Sequence, residues 1–311
     1  MSTTRFSVRK IISRKTCEVL KTSQVSRGLT EIQYIMLDAL DALSGRREPL
    51  IPPRRLMHDG PRDPAIFKEN GAEFFRYYVE LCRLKPAEAI LDVGCGIGRK
   101  TLPLLNYLEG GGRYEGFDIN QVSIKWCQKV IESKYPNFHF QWIDLFNQRY
   151  NPGGKYKAAE YKFPFSAETF DFVVLGSVFT HMWPEEVKNY LSEVARVLKR
   201  EGGRCLISYF LLNPETLTLI KQKSALNFQH NLGDCWINDI NLPENAIGYD
   251  EAYILDLYER CGLQVQEPIH YGSWCPRNQV FSQKPGFSLL SYQDLIIASK
   301  LEPSPVQKPG F

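Results

Sequence analysis

Apolar residues first recur at helical spacing over residues 30–44, where Ile32, Ile35, Met36, Leu40 and Leu43 share a face. Prolines at 49, 52 and 53, and again at 61 and 64, break that pattern. From about Phe67 a regular alternation begins. A helix is predicted over 72–84, with Phe74, Phe75, Tyr78, Leu81 and Cys82 on one face and Pro86 as its stop. A buried strand follows at 89–93, then a glycine turn at 94–98 that opens a helix through 109. Strands at 113–118, 138–143, 170–175 and 204–210 alternate with helices at 121–134, presenting Val122, Trp126, Val130 and Ile131, and at 184–199. Residues 147–162 read as a loop. Residues 213–248 read as an insertion, helical around 215–225. A helix at 250–261 and two strand-like runs at 263–270 and 293–299 complete the pattern, the last two most simply antiparallel. Strands alternating with helices imply an α/β fold: a doubly wound, seven-stranded sheet, mostly parallel with an antiparallel last strand. Right-handed crossovers then gather the strand C-termini on one rim, where ligands bind in such sheets.

Three stretches are expected: an extension over 1–66, a main domain over 67–300 whose insertion at 213–248 caps a substrate, and a proline-bearing tail over 301–311. With 38 Lys plus Arg against 35 Asp plus Glu, the net charge of +3 is too balanced for whole-chain electrostatic binding of nucleic acid. The charge is concentrated instead. Residues 1–28 carry Arg5, Arg9, Lys10, Arg14, Lys15, Lys21 and Arg27 against Glu18 alone, a local +6. Three readings of that segment stay open: a transit peptide, a basic arm for phosphate or an anionic membrane surface, and a solvated extension. No run of about 18 apolar residues predicts a membrane-spanning helix. The eight cysteines form no C-x-x-C pair and no metal-ligand spacing. Cys82, Cys127, Cys205 and Cys261 lie within apolar patterns and predict a reducing, cytoplasmic setting.

The chemistry-bearing motif is Leu91-Asp92-Val93-Gly94-Cys95-Gly96-Ile97-Gly98. Its glycines permit a tight turn and close backbone approach, and a helix start there would offer unpaired N–H groups to a ligand. Further acids, Asp118 and Asp144, end the next two strands. The dinucleotide fingerprint G-x-G-x-x-G would need its third glycine where Arg99 stands, which disfavours a nicotinamide dehydrogenase. Glycines at 94, 96 and 98, Asp92 two residues before the first, Asp118 and the final antiparallel pair closely resemble the class I S-adenosylmethionine-dependent methyltransferases, with their Rossmann-like sheet. The resemblance runs from about residue 72 to 299. It implies that Gly94, Cys95, Gly96 and Gly98 line the S-adenosyl-L-methionine site and that Asp92 organises the loop. It implies that Asp118 binds the ribose, Ile119 packs on the adenine, and Asp144 accepts from its amino group beside Leu145. Ser177, after the fourth strand, borders the methyl-transfer position. Arg99 meets either the methionine carboxylate or a helix-surface partner.

A hydroxyl acceptor would need a base, and His181 in Val178-Phe179-Thr180-His181-Met182-Trp183 is the candidate, since imidazole titrates near neutrality. A helix-capping or packing role is the alternative for it. After the fourth strand there is neither the N-P-P-Y motif of adenine N-methyltransferases nor the Pro-Cys pair of cytosine enzymes, so nucleic acid is disfavoured as acceptor. Phe228, Trp236, Gln222, Asn227 and Asn231 give the insertion either a sugar-binding or an ordinary surface-helix character. The leading expectation is methylation of a small-molecule or glycan hydroxyl. A nucleic-acid methyltransferase and a catalytically silent cofactor-binding module are the rivals.

Overall fold

The computed structural model describes residues 31–58, 60–223, 226–277 and 291–301. The basic segment 1–28, Cys17 and the tail 302–311 lie outside the described residues, as do Ala225 and the Gln222 side chain. The chain divides into two compact units, Met1–Phe67 and Lys68–Phe311. In the first, residues 31–43 form helix α1, and a short 3-10 turn follows at Arg54–Leu56. Asp38 accepts from the Arg54 backbone N–H at 2.9 Å, and the Arg54 guanidinium meets Asp41 at 2.6 Å, so the α1 carboxylates face into their own unit.

Helix α2 (Pro64–Arg76) leads into the second unit. There β1 (Ala89–Val93), β2 (Arg113–Asp118), helix α3 (Gln121–Cys127), β3 (Phe138–Trp142), β4 (Phe172–Leu175), helix α4 (Pro184–Val197) and β5 (Arg204–Tyr209) follow in turn. β6 (Leu211–Leu212) comes next, the insertion supplies helix α5 (Pro214–Lys223), β7 (His230–Asn231) and β8 (Cys235–Ile237), and β9 (Ile247–Asp250) spans its end. Helix α6 (Glu251–Arg260), β10 (Leu263–Val265) and β11 (Asp294–Lys300) close the domain. The main sheet has seven strands in the order β10-β11-β5-β4-β1-β2-β3. β1 to β5 pair in parallel, and β11 runs antiparallel to β5 with Tyr209 opposite Asp294. This is the doubly wound α/β sheet the pattern predicts. All five residues of β1 are buried, as a central parallel strand covered on both faces requires.

Two local expectations need correction. The glycine turn opens no α-helix: residues 99–101 form turns and Leu102–Asn106 is a 3-10 helix. Pro103 has no N–H to give the Arg99 carbonyl, and that carbonyl points instead at the bare Cα of Gly71 in α2. In α3 the inward residues are Ser123, Ile124 and Cys127, continued by Ile131, whereas Val122 is exposed. The helix lies so close to the glycine loop that a Cβ on Gly98 would stand 3.1 Å from Ile131 Cδ1 and 3.4 Å from Cys127 Sγ. In the insertion the helix expected around 215–225 is α5, and β6-β9-β8-β7 add a second, four-stranded sheet. Phe228 packs there with Phe210, Ile220 and Trp274 in a satellite core, which takes it out of the candidate substrate contacts.

Candidate functional site

The C-terminal ends of β1, β2, β3 and β4 bring the expected site residues to one rim of the sheet. Gly94, Gly96 and Gly98 all have positive φ, at 77°, 55° and 79°. A Cβ on Gly94 would overlap Val178 Cγ2, so this glycine lets the β1 loop and the β4 loop touch. Four of the loop's N–H groups are taken within the protein. Gly94 and Cys95 both donate to the Phe117 carbonyl, at 2.8 and 3.1 Å, and Gly98 donates to Cys95 at 3.2 Å. Gly96 donates to Asp118 Oδ2 at 2.7 Å. These four N–H groups are therefore not aimed at a ligand, and they fix the loop's shape and the orientation of the Asp118 carboxylate.

Asp118 also accepts from the Asn120 N–H at 2.7 Å, so both carboxylate oxygens are oriented from backbone. Asp92 is buried at the end of β1. Its Oδ2 accepts from the Tyr114 hydroxyl at 2.9 Å, and Tyr114 in turn meets Thr101 at 2.8 Å. Its Oδ1 is buried and accepts no hydrogen bond. Burial pushes the Asp92 carboxyl up, opposed by the Lys100 charge and the Tyr114 hydrogen bond. Lys100 reaches across to the Gly176 carbonyl and lies 4.9 Å from the Phe74 ring centre. Burial, with Asp118 and Asp92 adding, drives the Cys95 thiol far above its ordinary range, so it stays a neutral packing group.

Residues 90–202 match the protein-family profile described as a methyltransferase domain. This stretch is a class I S-adenosylmethionine-dependent methyltransferase domain. Among curated proteins the chain is similar to the 2-phytyl-1,4-naphtoquinone methyltransferase of Trichormus variabilis, with 22% identity over 44% of this chain and 54% of that protein. It is also similar to the phthiotriol/phenolphthiotriol dimycocerosates methyltransferase of Mycobacterium tuberculosis, with 34% identity over 37% of this chain and 34% of that protein. The chain thus spans about half or less of the curated relatives it matches. In fold it is similar to the PH0226 protein of Pyrococcus horikoshii, with a TM-score of 0.52 and 16% identity, covering 82% of this chain and 97% of that one.

The methyltransferase site suits S-adenosylmethionine. The cofactor carries two positive centres, its sulfonium and its ammonium, and Asp92 Oδ1 is a buried acceptor without a donor. Asp118 has the carboxylate geometry to take ribose hydroxyls. Ile119 packs half-buried on the main core beside it, its carbonyl accepting from Trp142 Nε1 at 3.0 Å. Asp144 is held by its own loop, with Asn151 Nδ2 at 3.4 Å and Lys155 Nζ at 3.6 Å, and Leu145 is buried next to it.

On the β4 side, Ser177 adopts φ 63°. Its N–H donates to Ser208 Oγ at 2.7 Å, and both serine hydroxyls donate to Gln293 Oε1, at 3.0 and 2.7 Å. His181 stands on the 3-10 turn Phe179–His181. Its Nδ1 is 2.9 Å from the Glu244 carbonyl and its Nε2 3.4 Å from the Tyr150 hydroxyl. A carbonyl can only accept, so the ring proton sits on Nδ1 and Nε2 carries the lone pair in the neutral ring. Glu244 itself is buried, taking the Gln148 N–H at 2.6 Å and Trp183 Nε1 at 3.2 Å. Sequence reasoning missed Tyr114, Lys100, Ser208, Gln293, Tyr150 and Glu244. Tyr114 reads as an ordinary strand residue, and Glu244 and Gln293 come from segments far along the chain, so no local signal marks them. Among the described residues, no group of three or more His, Cys, Asp or Glu is placed to hold a metal ion. Among them, no helix is long and apolar enough to cross a membrane.

Proposed function

We propose that this chain is an enzyme that transfers the methyl group of S-adenosylmethionine to a small-molecule or glycan acceptor, that the accepting atom is a hydroxyl oxygen, and that His181 is its base. The observation that carries the base assignment is the Nδ1 contact to the Glu244 carbonyl, which presents Nε2 as a proton acceptor beside the β4 loop. The names of the two curated relatives, one a naphthoquinone and one a phthiotriol methyltransferase, support a small-molecule acceptor. The seven described cysteines are all free, which supports a reducing compartment such as the cytoplasm.

The cofactor supplies the electrophilic methyl group. This chain's residues bind and orient. Asp118, fixed by the Gly96 and Asn120 N–H groups, holds the ribose. Asp92 neutralises positive charge at the floor of the site. Ser177, pinned through Ser208 and Gln293, borders the acceptor. His181 Nε2 would take the proton of the acceptor hydroxyl as that oxygen receives the methyl group, so that the protein itself holds the proton released. Positioning of this kind contributes about 7–11 kcal/mol, and a general base about 10²–10⁴-fold.

Calorimetric titration with S-adenosylmethionine, S-adenosylhomocysteine and NAD tests the cofactor: binding of the sulfur compounds and not NAD is expected. Labelled-methyl transfer to a panel of hydroxylated quinols, phenols and sugars then tests the acceptor. His181→Ala should lower turnover about 10²-fold or more while cofactor affinity holds. Undiminished turnover returns His181 to a packing role. Tight cofactor binding with no turnover on any acceptor favours the silent module.

A further inference from the structure

Lys100, in the turn after the glycine loop, sends its ammonium across to the β4 side. Nζ donates to the Gly176 carbonyl, directly after β4, and lies 4.9 Å from the ring centre of Phe74 in α2. Gly176 makes room for it, since a Cβ there would fall on Lys100 Nζ and stand 3.1 Å from Phe74 Cε1. A carbonyl oxygen and an aromatic face together make a seat for a primary ammonium. The seat lies on the rim of strand C-termini, where ligands enter such sheets. Beside it one negative charge is buried. Asp92 is 1% exposed, its Oδ1 accepts no hydrogen bond, and the Lys100 charge opposes the rise of its carboxyl. The Tyr78 hydroxyl, also buried and without a hydrogen-bond partner, feels the Asp92 charge.

S-adenosylmethionine ends in an amino-acid tail, with an ammonium and a carboxylate on one carbon. Were Lys100 to stay on its carbonyl, the tail ammonium would meet a like charge at the acceptor it needs. An exchange satisfies every group. The tail ammonium takes the Gly176 carbonyl and compensates Asp92 as Lys100 did. The tail carboxylate then separates that ammonium from Lys100, so charges alternate in sign from Asp92 outward. We propose that Lys100 holds the ammonium seat until the cofactor's own ammonium takes it and then binds the cofactor's carboxylate, so that Lys100 selects ligands with a complete amino-acid tail. A ligand with the ammonium and no carboxylate would set two cations side by side, and the site would reject it.

The test is calorimetric titration of the full chain with S-adenosylhomocysteine, with its decarboxylated analogue, and with methylthioadenosine, which keeps the nucleoside and lacks both charged groups of the tail. The parent should bind S-adenosylhomocysteine about tenfold tighter than the decarboxylated analogue, or more, because a charge-assisted contact gives way to a like-charge one. Lys100→Met should lose about tenfold for S-adenosylhomocysteine and bind the decarboxylated analogue at least as tightly as the parent does. Its affinity for methylthioadenosine should stay within about threefold of the parent's, which also shows that the variant is folded. Lys100→Arg, which keeps the charge, should keep the parent's order of ligands. Undiminished S-adenosylhomocysteine affinity in Lys100→Met would overturn the proposal. Equal losses for all three ligands in a folded variant would make Lys100 a brace between the β1 and β4 loops and overturn it too. Should Lys100→Met not fold, the parent decides: equal affinity for S-adenosylhomocysteine and its decarboxylated analogue sinks the assignment. The assignment rests on the S-adenosylmethionine site and on neither His181 nor the acceptor, and methylthioadenosine binding by the parent separates its failure from failure of that site. A parent that binds none of the three loses the site and the seat together.

Discussion

Asp118 is the residue on which loop geometry and ligand chemistry converge. It is half-buried at the end of β2, where one carboxylate oxygen holds the Gly96 N–H and the other the Asn120 N–H. Asp118→Ala removes both acceptors and the negative charge. We expect a loss of about 1–3 kcal/mol in stability from the orphaned donors and at least a tenfold loss in S-adenosylmethionine affinity. Denaturant melts and calorimetry separate the two effects. Asp118→Asn, which keeps an acceptor but not the charge, should recover more of the stability than of the affinity. Unchanged affinity in the alanine variant would remove Asp118 from the site. Asp92, by contrast, acts from within the core. Its role was readable as "an acid before the first glycine", but its Tyr114–Thr101 support was not, because those partners come from β2 and from the turn after the loop.

At the scale of elements, the loop after β1 and the loop after β4 are locked by a single missing methyl. Gly94→Ala must take a left-handed φ of 77° and place its Cβ into Val178 Cγ2. The expected cost is about 2–4 kcal/mol, of which the backbone share is about 1–2 kcal/mol. Adding Val178→Ala should recover the overlap share and leave the backbone share, which a double-mutant cycle in urea resolves. Full recovery, or none, would contradict this division. β1 and β2 were legible to the residue, because β1 is a short, mostly apolar run closed by glycine and β2 is an alternating run between glycine and aspartate turn signals. The sheet β6-β9-β8-β7 was not, because strands of two to four residues are too short to show a period. The inward face of α3 was not legible, because which face meets the glycine loop, with Ile131 and Cys127 beside Gly98, is decided by tertiary contact.

Across the whole molecule, the insertion docks onto the rim through carboxylates taken out of water, and this makes stability depend on pH. Glu186 at the start of α4 accepts the Trp183 N–H at 2.8 Å. Burial, with Glu244 and Glu185 adding and that N–H opposing, pushes its carboxyl up from 4.5 to about 7. Between those values the folded chain holds a proton that the unfolded chain has lost. Stability therefore falls as pH rises from 4.5 to 7 and levels off above, by about 2 kcal/mol once partial exposure is discounted. Glu186→Gln should melt higher than the parent at pH 8 and about equally at pH 5. A parallel pH dependence in both proteins would contradict this.

The sequence by itself determined the alternation of strands and helices, the sheet class, the glycine loop and the acids at three strand ends, since each depends on contiguous residues and local periodicity. The tertiary structure alone decided how the site is completed. It spent the Gly94, Cys95 and Gly96 N–H groups on Phe117 and Asp118, set the His181 proton through Glu244, and joined Ser177 to Gln293 over 116 positions of sequence. It also turned the α1 carboxylates Asp38 and Asp41 toward Arg54 within their own unit. The physical reason is common to all of these. Periodicity reports which side of an element is apolar, but the partner that a polar group finds, and the direction a stripe faces, depend on residues that only folding brings near.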